Sequence, residues 1–311
     1  MGTTAQKLNK IIETKEAIRT AINNKGGTLT TTDTFASYPT AIDNLPSGGT
    51  DWLKDFLDET KTAVCLFSGR AYLSYGTYTI WSDNLTYERL QKILSYNTTS
   101  SVTNMKGMFY YCRQLTTIPL INTSLVTDMS SMFESCSKLT TIPQLDTSKV
   151  QFMGSMFNGC SKLTTIPQLD TSKVGAMGSM FRDCSSLITI PQLNTINVTS
   201  MSYMFQNCYT LTTIDITHMK ITSTSSSSNF AFNCYSLTKL IIRNMDSIPS
   251  LNSNAFTNCY HFTGTTNETY NPNGLKDGRI YVPDDKVEAL KTATNWSVYA
   301  DIIVPLSTLV E

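Results

Sequence analysis

The sequence is dominated by a repeat that returns every 24 residues. Its marker is a Met-Phe pair with a cysteine three residues after the phenylalanine. The five regular copies end at Cys112, Cys136, Cys160, Cys184 and Cys208. Beyond Cys208 the step loosens to 26 and then 25 residues, at Cys234 and Cys259, and we assign the aromatic position there to Phe232 and Phe256. A fixed period of this length is typical of leucine-rich-repeat solenoids, whose units bury their apolar side only by stacking.

One repeat, residues 147–169, shows two patterns. The apolar residues of its first part are Val150, Met153, Met156, Phe157 and Cys160. Their spacing predicts a helix, with Thr147 or Ser148 as its N-cap. The second part, "LTTIPQL" (163–169), predicts a short strand, with its proline at an edge or a bend. The predicted fold class is therefore α/β: a leucine-rich-repeat solenoid with a helix and a short parallel strand in each repeat.

The Met, Phe and Cys columns are predicted to fill the core. The rings expected to stack are Phe109, Phe133, Phe157, Phe181 and Phe205. The cysteines are expected to be buried free thiols. They are not expected to bind a metal, because a metal site would need a CxxC motif or more than two histidines. We find no G-x-S-x-G, no H-E-x-x-H and no glycine-rich phosphate loop. We therefore expect no enzyme activity and no catalytic, cofactor-binding or metal-binding residues.

The charge composition narrows the expected partners. The chain has 24 basic and 24 acidic residues, and charged residues make up only 15% of it. This balance gives no reason to expect nucleic acid as a partner. No apolar run approaches the roughly 20 residues that a membrane-spanning helix needs, so we expect no membrane insertion. The amino terminus also lacks the apolar core of a secretory signal.

Polar columns beside the core are the candidate recognition face. Their members are Thr117, Thr141, Thr165, Thr189, Thr213, Gln144, Gln168 and Gln192. This face either hydrogen-bonds a host-surface glycan or protein, or is an ordinary solvated strand face. A third column contains Asn122, Asp146, Asp170 and Asn194. Stacked carboxylates would suit acid–base catalysis or calcium, but the alternation with asparagine favours Asx residues that form turns or cap helices.

The amino-terminal segment has its own pattern. Apolar residues predict a helix over residues 5–25, and four of them form a candidate docking or oligomerisation seam: Leu8, Ile11, Ile18 and Ile22. The alternative is that this helix packs on its own chain. Asp33 is a candidate N-cap of a second short helix, which ends before the Pro-Ser-Gly-Gly joint at 46–49. We predict an attachment segment at 1–46, a linker and cap at 47–100, the solenoid at 101–262 and a carboxyl-terminal cap at 263–311.

Residues 136–150, "CSKLTTIPQLDTSKV", resemble the BspA-type leucine-rich repeats of bacterial surface proteins and mycoplasma lipoproteins. Residues 278–309 are similar to the terminal segment of such arrays. There we expect a strand at 280–283, a helix at 286–293 and an N-cap at Asp284 or Asp285. The residues expected to close the core are Trp296, Tyr299, Ile302, Ile303 and Leu306.

Residues 7–45, which contain "TFASYPTAI", resemble the amino-terminal segment of bacteriophage tail, baseplate and fibre proteins. This resemblance implies attachment to other virion proteins. The resulting hypothesis is a non-enzymatic virion protein, a tail or head fibre or decoration, assembled in the host cytoplasm. We expect a homo-oligomer, with a trimer as the guess. The alternative is a BspA-like adhesin on a bacterial cell surface.

Overall fold

The computed structural model describes residues 102–310 and, before them, residues 19, 20, 23, 72–74, 77–79, 87, 90 and 91. Contacts divide the chain into two units, and Tyr72–Leu90 and Thr99–Glu311 together form the second of them. Of the predicted amino-terminal helix, Arg19, Thr20 and Asn23 are described and are helical. The four seam residues lie outside the described residues, as does the predicted short helix after Asp33.

The strands of the described chain are one short pair before the regular coils and a parallel sheet that begins at Thr213. Strands β1 (Tyr72–Ser74) and β2 (Thr77–Thr79) form an antiparallel pair. Four parallel strands form a sheet in the order β3-β4-β5-β6: Thr213–His218, Lys239–Asn244, Arg279–Val282 and Ile303–Pro305. The α-helices are α1 (Tyr260–Thr263) and α2 (Val287–Thr292). Single 3₁₀ turns span Thr224–Ser227, Asp284–Lys286, Ser297–Ile302 and Leu306–Thr308.

The α/β solenoid class is confirmed, but the segment of each regular coil that the spacing assigned to a helix is a run of tight turns. Along this segment some backbone N–H groups donate to a carbonyl of the same turn, and others donate to a carbonyl of the next coil. Glu134 N–H donates to Ser131 O at 3.1 Å, and Ser135 N–H donates to Asn158 O of the next coil at 2.7 Å. Ser131 and Ser135 have φ values of 55° and 62°, a left-handed backbone that an α-helix does not contain.

Tandem turns explain why the sequence looked helical. Met129, Met132, Phe133 and Cys136 are all fully buried and are spaced three, four and seven residues apart. A helix places residues at these spacings on one face, and successive four-residue turns do the same here. Periodicity alone therefore does not separate the two backbones.

The proline-containing segments are extended but form no strand in the described coils before Thr213. Pro119, Pro143, Pro167 and Pro191 carry no N–H and cannot donate to the preceding coil. The first part of each coil forms only isolated parallel bridges, such as Asp128↔Phe152. Where Ile214-Asp215 replaces Ile-Pro, β3 begins and pairs with β4 through five register positions. The loss of proline thus makes the last coils more regular as a sheet.

The predicted phenylalanine stack is confirmed. Rings from Phe109 to Phe205 lie face to face with centroids 5.4–5.7 Å apart and interplanar angles of 14° or less. The assignment of Phe232 to this column is wrong, because its side chain is only half-buried. Phe230 is fully buried instead and meets Phe205 edge-on at 5.5 Å. Phe230 precedes Cys234 by four residues, so it occupies the methionine position and Ala231 the phenylalanine position.

The carboxyl-terminal segment covers the last ring of the stack. Trp296, Tyr299, Ile302 and Ile303 are buried as predicted, whereas Leu306 is half-buried. Trp296 Nε1–H donates to Pro249 O at 2.8 Å. The predicted strand corresponds to β5 and the predicted helix to a 3₁₀ turn followed by α2. The N-cap prediction is wrong for both aspartates, because neither helix has a side-chain cap bond and Asp284 Oδ1 accepts the Ser307 N–H instead.

Candidate functional site

The threonine column lies at one position of successive coils. The side chains of Thr141, Thr165 and Thr189 are exposed, and those of Thr117 and Thr213 are half-exposed. Thr141 Oγ1 donates to Thr117 Oγ1 at 3.3 Å, so neighbouring hydroxyls of this column are within hydrogen-bonding distance. The column presents hydroxyl groups at the repeat spacing.

The glutamine column is exposed but engaged with the backbone. Gln144 Nε2 donates to the main-chain carbonyl of Gln168 at 2.6 Å, and Gln168 Nε2 donates to that of Gln192 at 3.0 Å. Gln192 Nε2 reaches Asp215 Oδ1 at 3.3 Å, and Asp215 is also held by Arg243 at 2.7 Å. We call this series of amide-to-next-coil bonds the glutamine ladder. Its N–H groups stabilise the stacking, and its side-chain oxygens remain as acceptors.

The glutamine ladder stops at Leu120, which occupies the equivalent position in the first coil. Leu120 has no amide, so the Gln144 main-chain carbonyl receives no hydrogen bond from the described residues. The leucine side chain is 77% exposed. The end of the ladder therefore combines an open acceptor with an exposed apolar side chain.

A cavity of about 850 Å³ opens at this end of the ladder. It is lined by Leu120, Ile121, Asn122, Thr123, Ser124, Gln144, Leu145, Asp146, Thr147, Ser148 and Asp170. Thr123 and Thr147 are 2% exposed, and neither hydroxyl has a hydrogen-bond partner. In the following coils, the hydroxyls of Thr171 and Thr195 do donate to carbonyls of the next coil. Two buried polar atoms at the cavity are thus left unsatisfied.

The Asx column forms turns, as one of the two interpretations predicted. Asp146 Oδ1 accepts the Ser148 N–H at 3.0 Å and the Ser148 hydroxyl at 2.7 Å. These bonds hold the pKa of Asp146 below its usual value, and the Ser172 bonds do the same for Asp170. The equivalent turns are Asn122 to Ser124, Asp170 to Ser172 and Asn194 to Ile196. Both carboxylates line the cavity and are ionised at neutral pH.

The column cysteines are buried and form no disulfides, and their thiols also make hydrogen bonds. Cys160 Sγ donates to Phe133 O of the preceding coil at 3.1 Å. The same bond, at 3.0–3.1 Å, is made by Cys136, Cys184, Cys208, Cys234 and Cys259. Burial raises the pKa of these thiols well above the usual value, so they stay protonated. The burial of these cysteines was predicted from the repeat, and the thiol-to-carbonyl bond was not.

A tyrosine cluster was also missed by sequence reasoning. Tyr209, Tyr235 and Tyr260 each follow a column cysteine, and their rings stack with centroids 4.8 and 5.1 Å apart. Tyr270 adds a tilted contact to Tyr235 at 4.8 Å. Partial burial and the neighbouring hydroxyls raise the pKa of Tyr235. The signal was available, because tyrosine recurs directly after the cysteine in three successive coils.

Among the described residues, no three His, Cys, Asp or Glu side chains are grouped so that they could hold a metal ion. The helices among these residues are also too short or too polar to cross a membrane.

The geometry defines a leucine-rich-repeat solenoid, and comparison with known proteins assigns its family. The family model described as "Mycoplasma protein of unknown function, DUF285" matches residues 82–187 and 140–244. Together these regions span 163 of the 311 residues, just over half, so the chain belongs to this family. The resemblance to BspA-type repeats is confirmed. The family match begins at residue 82, so the resemblance of residues 7–45 to phage proteins stays a prediction.

Comparison with solved structures and with curated proteins adds little to the family assignment. The "T. pallidum Leucine Rich Repeat protein (TpLRR)" is a solved structure that is 19% identical to this chain, with a TM-score of 0.40. The match covers 51% of this chain and 71% of that one. No curated protein matches the sequence.

Proposed function

We propose that the chain is a non-enzymatic recognition protein whose solenoid presents its outer threonine and glutamine columns to a glycan or protein on a host surface. The observation that carries this proposal is the exposed threonine column at one position of successive coils. Backbone bonds between coils, such as Thr140 N–H to Thr116 O at 2.9 Å, hold these hydroxyls in place. A surface that is already ordered loses little conformational entropy on binding.

The groups that would otherwise suggest chemistry have structural roles here. The column thiols are protonated and donate to carbonyls, and Asp146 and Asp170 hold turns. These structural roles favour binding, rather than catalysis, as the function of the solenoid.

For the attachment end, we propose that residues 1–46 dock the chain to other virion proteins of a bacteriophage and join copies into a homo-oligomer, with a trimer as the working stoichiometry. The support is the resemblance of residues 7–45 to phage tail, baseplate and fibre proteins and the apolar seam of four residues named above. The proposed location is the virion, after assembly in the host cytoplasm.

The second candidate is a BspA-like adhesin on a bacterial cell surface. Its support is the resemblance of residues 136–150 to BspA-type repeats, together with the family match over residues 82–244. Immunogold labelling separates the two: label on purified phage particles supports a virion protein, and label on intact cells of the producing bacterium supports the adhesin.

The recognition role is tested with the full chain and two triple variants. T141R/T165R/T189R places three long cationic side chains on the exposed threonine column. Q151R/A176R/S186R places the same number on other exposed or half-exposed positions. We expect the first variant to lose binding to a glycan array and to host cells, and the second to retain it. Equal binding by both variants would exclude the threonine column as the contact surface.

The attachment role is tested by placing asparagine at Leu8, Ile11, Ile18 and Ile22 in the full chain. We expect this variant to sediment as a monomer, to keep the circular dichroism of the solenoid and to be absent from particles. A variant that still forms the wild-type oligomer and enters particles would rule out the seam.

A further inference from the structure

We propose that the cavity at the end of the glutamine ladder binds a neutral acetamido sugar, a 2-acetamido-2-deoxyhexose unit. This inference rests on the proposed recognition function and names its ligand class. Four features of the cavity carry it: an open acceptor, an apolar contact, two carboxylates and two buried hydroxyls without partners.

The open acceptor is the main-chain carbonyl of Gln144. In the next two coils the equivalent carbonyls, of Gln168 and Gln192, each accept an amide N–H from the preceding glutamine side chain at 2.6 and 3.0 Å. Leu120 breaks this series and leaves the Gln144 carbonyl for an external donor. The N–H of an acetamido group is chemically the same donor as the missing side-chain amide.

The apolar contact is Leu120 itself. Its side chain is 77% exposed at the position where later coils carry glutamine. An acetamido group carries a methyl group next to its N–H and carbonyl. A ligand whose N–H meets the Gln144 carbonyl can therefore rest this methyl on Leu120 and remove apolar surface from water.

The carboxylates of Asp146 and Asp170 supply acceptors for sugar hydroxyls. In each, Oδ1 holds an Asx turn. A carboxylate has further lone pairs on both oxygens, so each still accepts hydrogen bonds from a ligand. Because both groups are ionised at neutral pH, their paired negative charge disfavours anionic sugars such as sialic acids.

The hydroxyls of Thr123 and Thr147 set these coils apart from the rest. Both residues line the cavity and are 2% exposed, and neither hydroxyl makes a hydrogen bond. A buried polar group without a partner is destabilising, so the two coils at the cavity have less complete hydrogen bonding than the coils that follow. Thr171 shows the satisfied alternative, with its hydroxyl 2.8 Å from Asn194 O.

A sugar fits this combination better than an extended peptide. A peptide strand binds through a row of alternating main-chain donors and acceptors. At the end of the ladder the Gln144 main-chain carbonyl lies among the side-chain oxygens of Asp146 and Asp170, acceptors that suit a ring with several hydroxyls. The cavity volume of about 850 Å³ is within the range of small-molecule sites.

The test is a titration of the full chain, followed by heteronuclear NMR and calorimetry. The probes are N-acetylglucosamine and N-acetylgalactosamine, with glucose and galactose as matched sugars that lack the acetamido group. N-acetylneuraminic acid serves as the anionic probe and acetyl-alanine methylamide as the peptide probe. We expect millimolar binding of the two acetamido sugars and at least tenfold weaker binding of the others.

Two variants locate the site. In Leu120→Gln the new amide takes the Gln144 carbonyl, so acetamido-sugar binding should fall at least tenfold while the fold is kept. Asn194→Asp is the matched control, because it adds a carboxylate in the same column outside the cavity and should leave binding unchanged. Thermal unfolding of both variants checks that each is folded.

Three results would overturn the proposal. Equal binding of glucose and N-acetylglucosamine would exclude the acetamido group, and unchanged affinity in Leu120→Gln would exclude this cavity. Binding of the peptide probe without sugar binding would favour a peptide ligand. If no probe binds while T141R/T165R/T189R still loses host-surface binding, the recognition function stands and the acetamido-sugar site is rejected.

Discussion

The position of the aromatic ring in the sixth coil gives the sharpest test of the fold. The spacing of the sequence assigned this ring to Phe232, whereas Phe230 is the residue buried between Phe205 and Phe256, at centroid distances of 5.5 and 6.0 Å. Phe230 is fully buried and Phe232 is half-buried. The substitutions Phe230→Ala and Phe232→Ala therefore form a matched pair two residues apart.

The expected magnitudes follow from burial. Truncation of a fully buried phenylalanine removes its apolar contacts and leaves a cavity, which costs about 3–5 kcal/mol. The adjacent Ala231 is too small to fill the space. A half-buried ring removes less surface from water, so Phe232→Ala should cost about 1 kcal/mol. The two variants should differ by about 2 kcal/mol or more in the free energy of unfolding.

The assay is urea unfolding of both full-length variants, followed by far-ultraviolet circular dichroism. Because repeat arrays do not always unfold in one step, hydrogen exchange of the amides around Cys234 provides a local measure. Phe230→Ala should speed this exchange far more than Phe232→Ala does. Equal destabilisation by the two substitutions, or a larger effect of Phe232→Ala, would refute the assignment of Phe230 to the core.

The remaining predictions concern the polar columns and the thiols. Gln168→Leu should remove one bond of the glutamine ladder and lower stability by about 1 kcal/mol in urea unfolding, and Leu120→Gln, which adds a bond, should raise it by a similar amount. The seven column cysteines should resist a thiol reagent at pH 8 in the native protein and react after unfolding, because all seven are buried and burial raises the pKa of the six from Cys136 to Cys259; rapid native labelling of them would contradict this. Ser148→Ala should raise the pKa of Asp146 toward its ordinary value of 3.8 in an NMR titration, since the serine bonds lower it. As the folded-state pKa of Asp146 is the lower one, the stability from this turn is present above pH 3.8 and is lost as the pH falls through the folded-state pKa. An unchanged Asp146 pKa in Ser148→Ala would show that the Ser148 hydroxyl does not lower it.

The core was predictable because the repeat fixes it. A constant step of 24 residues places Phe133 and Phe157 one coil apart, and only a stack of coils satisfies that spacing while burying both rings. The cysteine column followed from the same argument. The bond from Cys160 to the Phe133 carbonyl was not predictable, because it depends on how far the turn of one coil lies from the next.

The backbone of the regular coils was harder to predict. Ser131 and Ser135 take the left-handed conformation although neither is glycine. Elsewhere the same two positions carry residues that favour this conformation, such as Gly107 and Gly159, with φ of 61° and 75°, and Asn207, with φ of 63°, and these were the sequence signals for turns. Conversely, β3 spans the coil in which Asp215 replaces the proline, and its backbone bonds to the preceding coil through Leu193 N–H to Asp215 O and Thr217 N–H to Leu193 O.

The glutamine ladder also indicates where on such an array ligand chemistry is available. Within the ladder, each side-chain amide bonds the next coil, so a middle residue such as Gln168 both donates and has its own carbonyl occupied. At the end of the ladder, where Leu120 interrupts the pattern, the Gln144 main-chain carbonyl lies beside an exposed apolar side chain. In a solenoid whose polar columns stabilise its own stacking, positions that break a column are therefore better candidates for specific recognition than positions that repeat it. If the proposed recognition function holds, the threonine column would supply a broad polar surface and the interruption at Leu120 would supply selectivity.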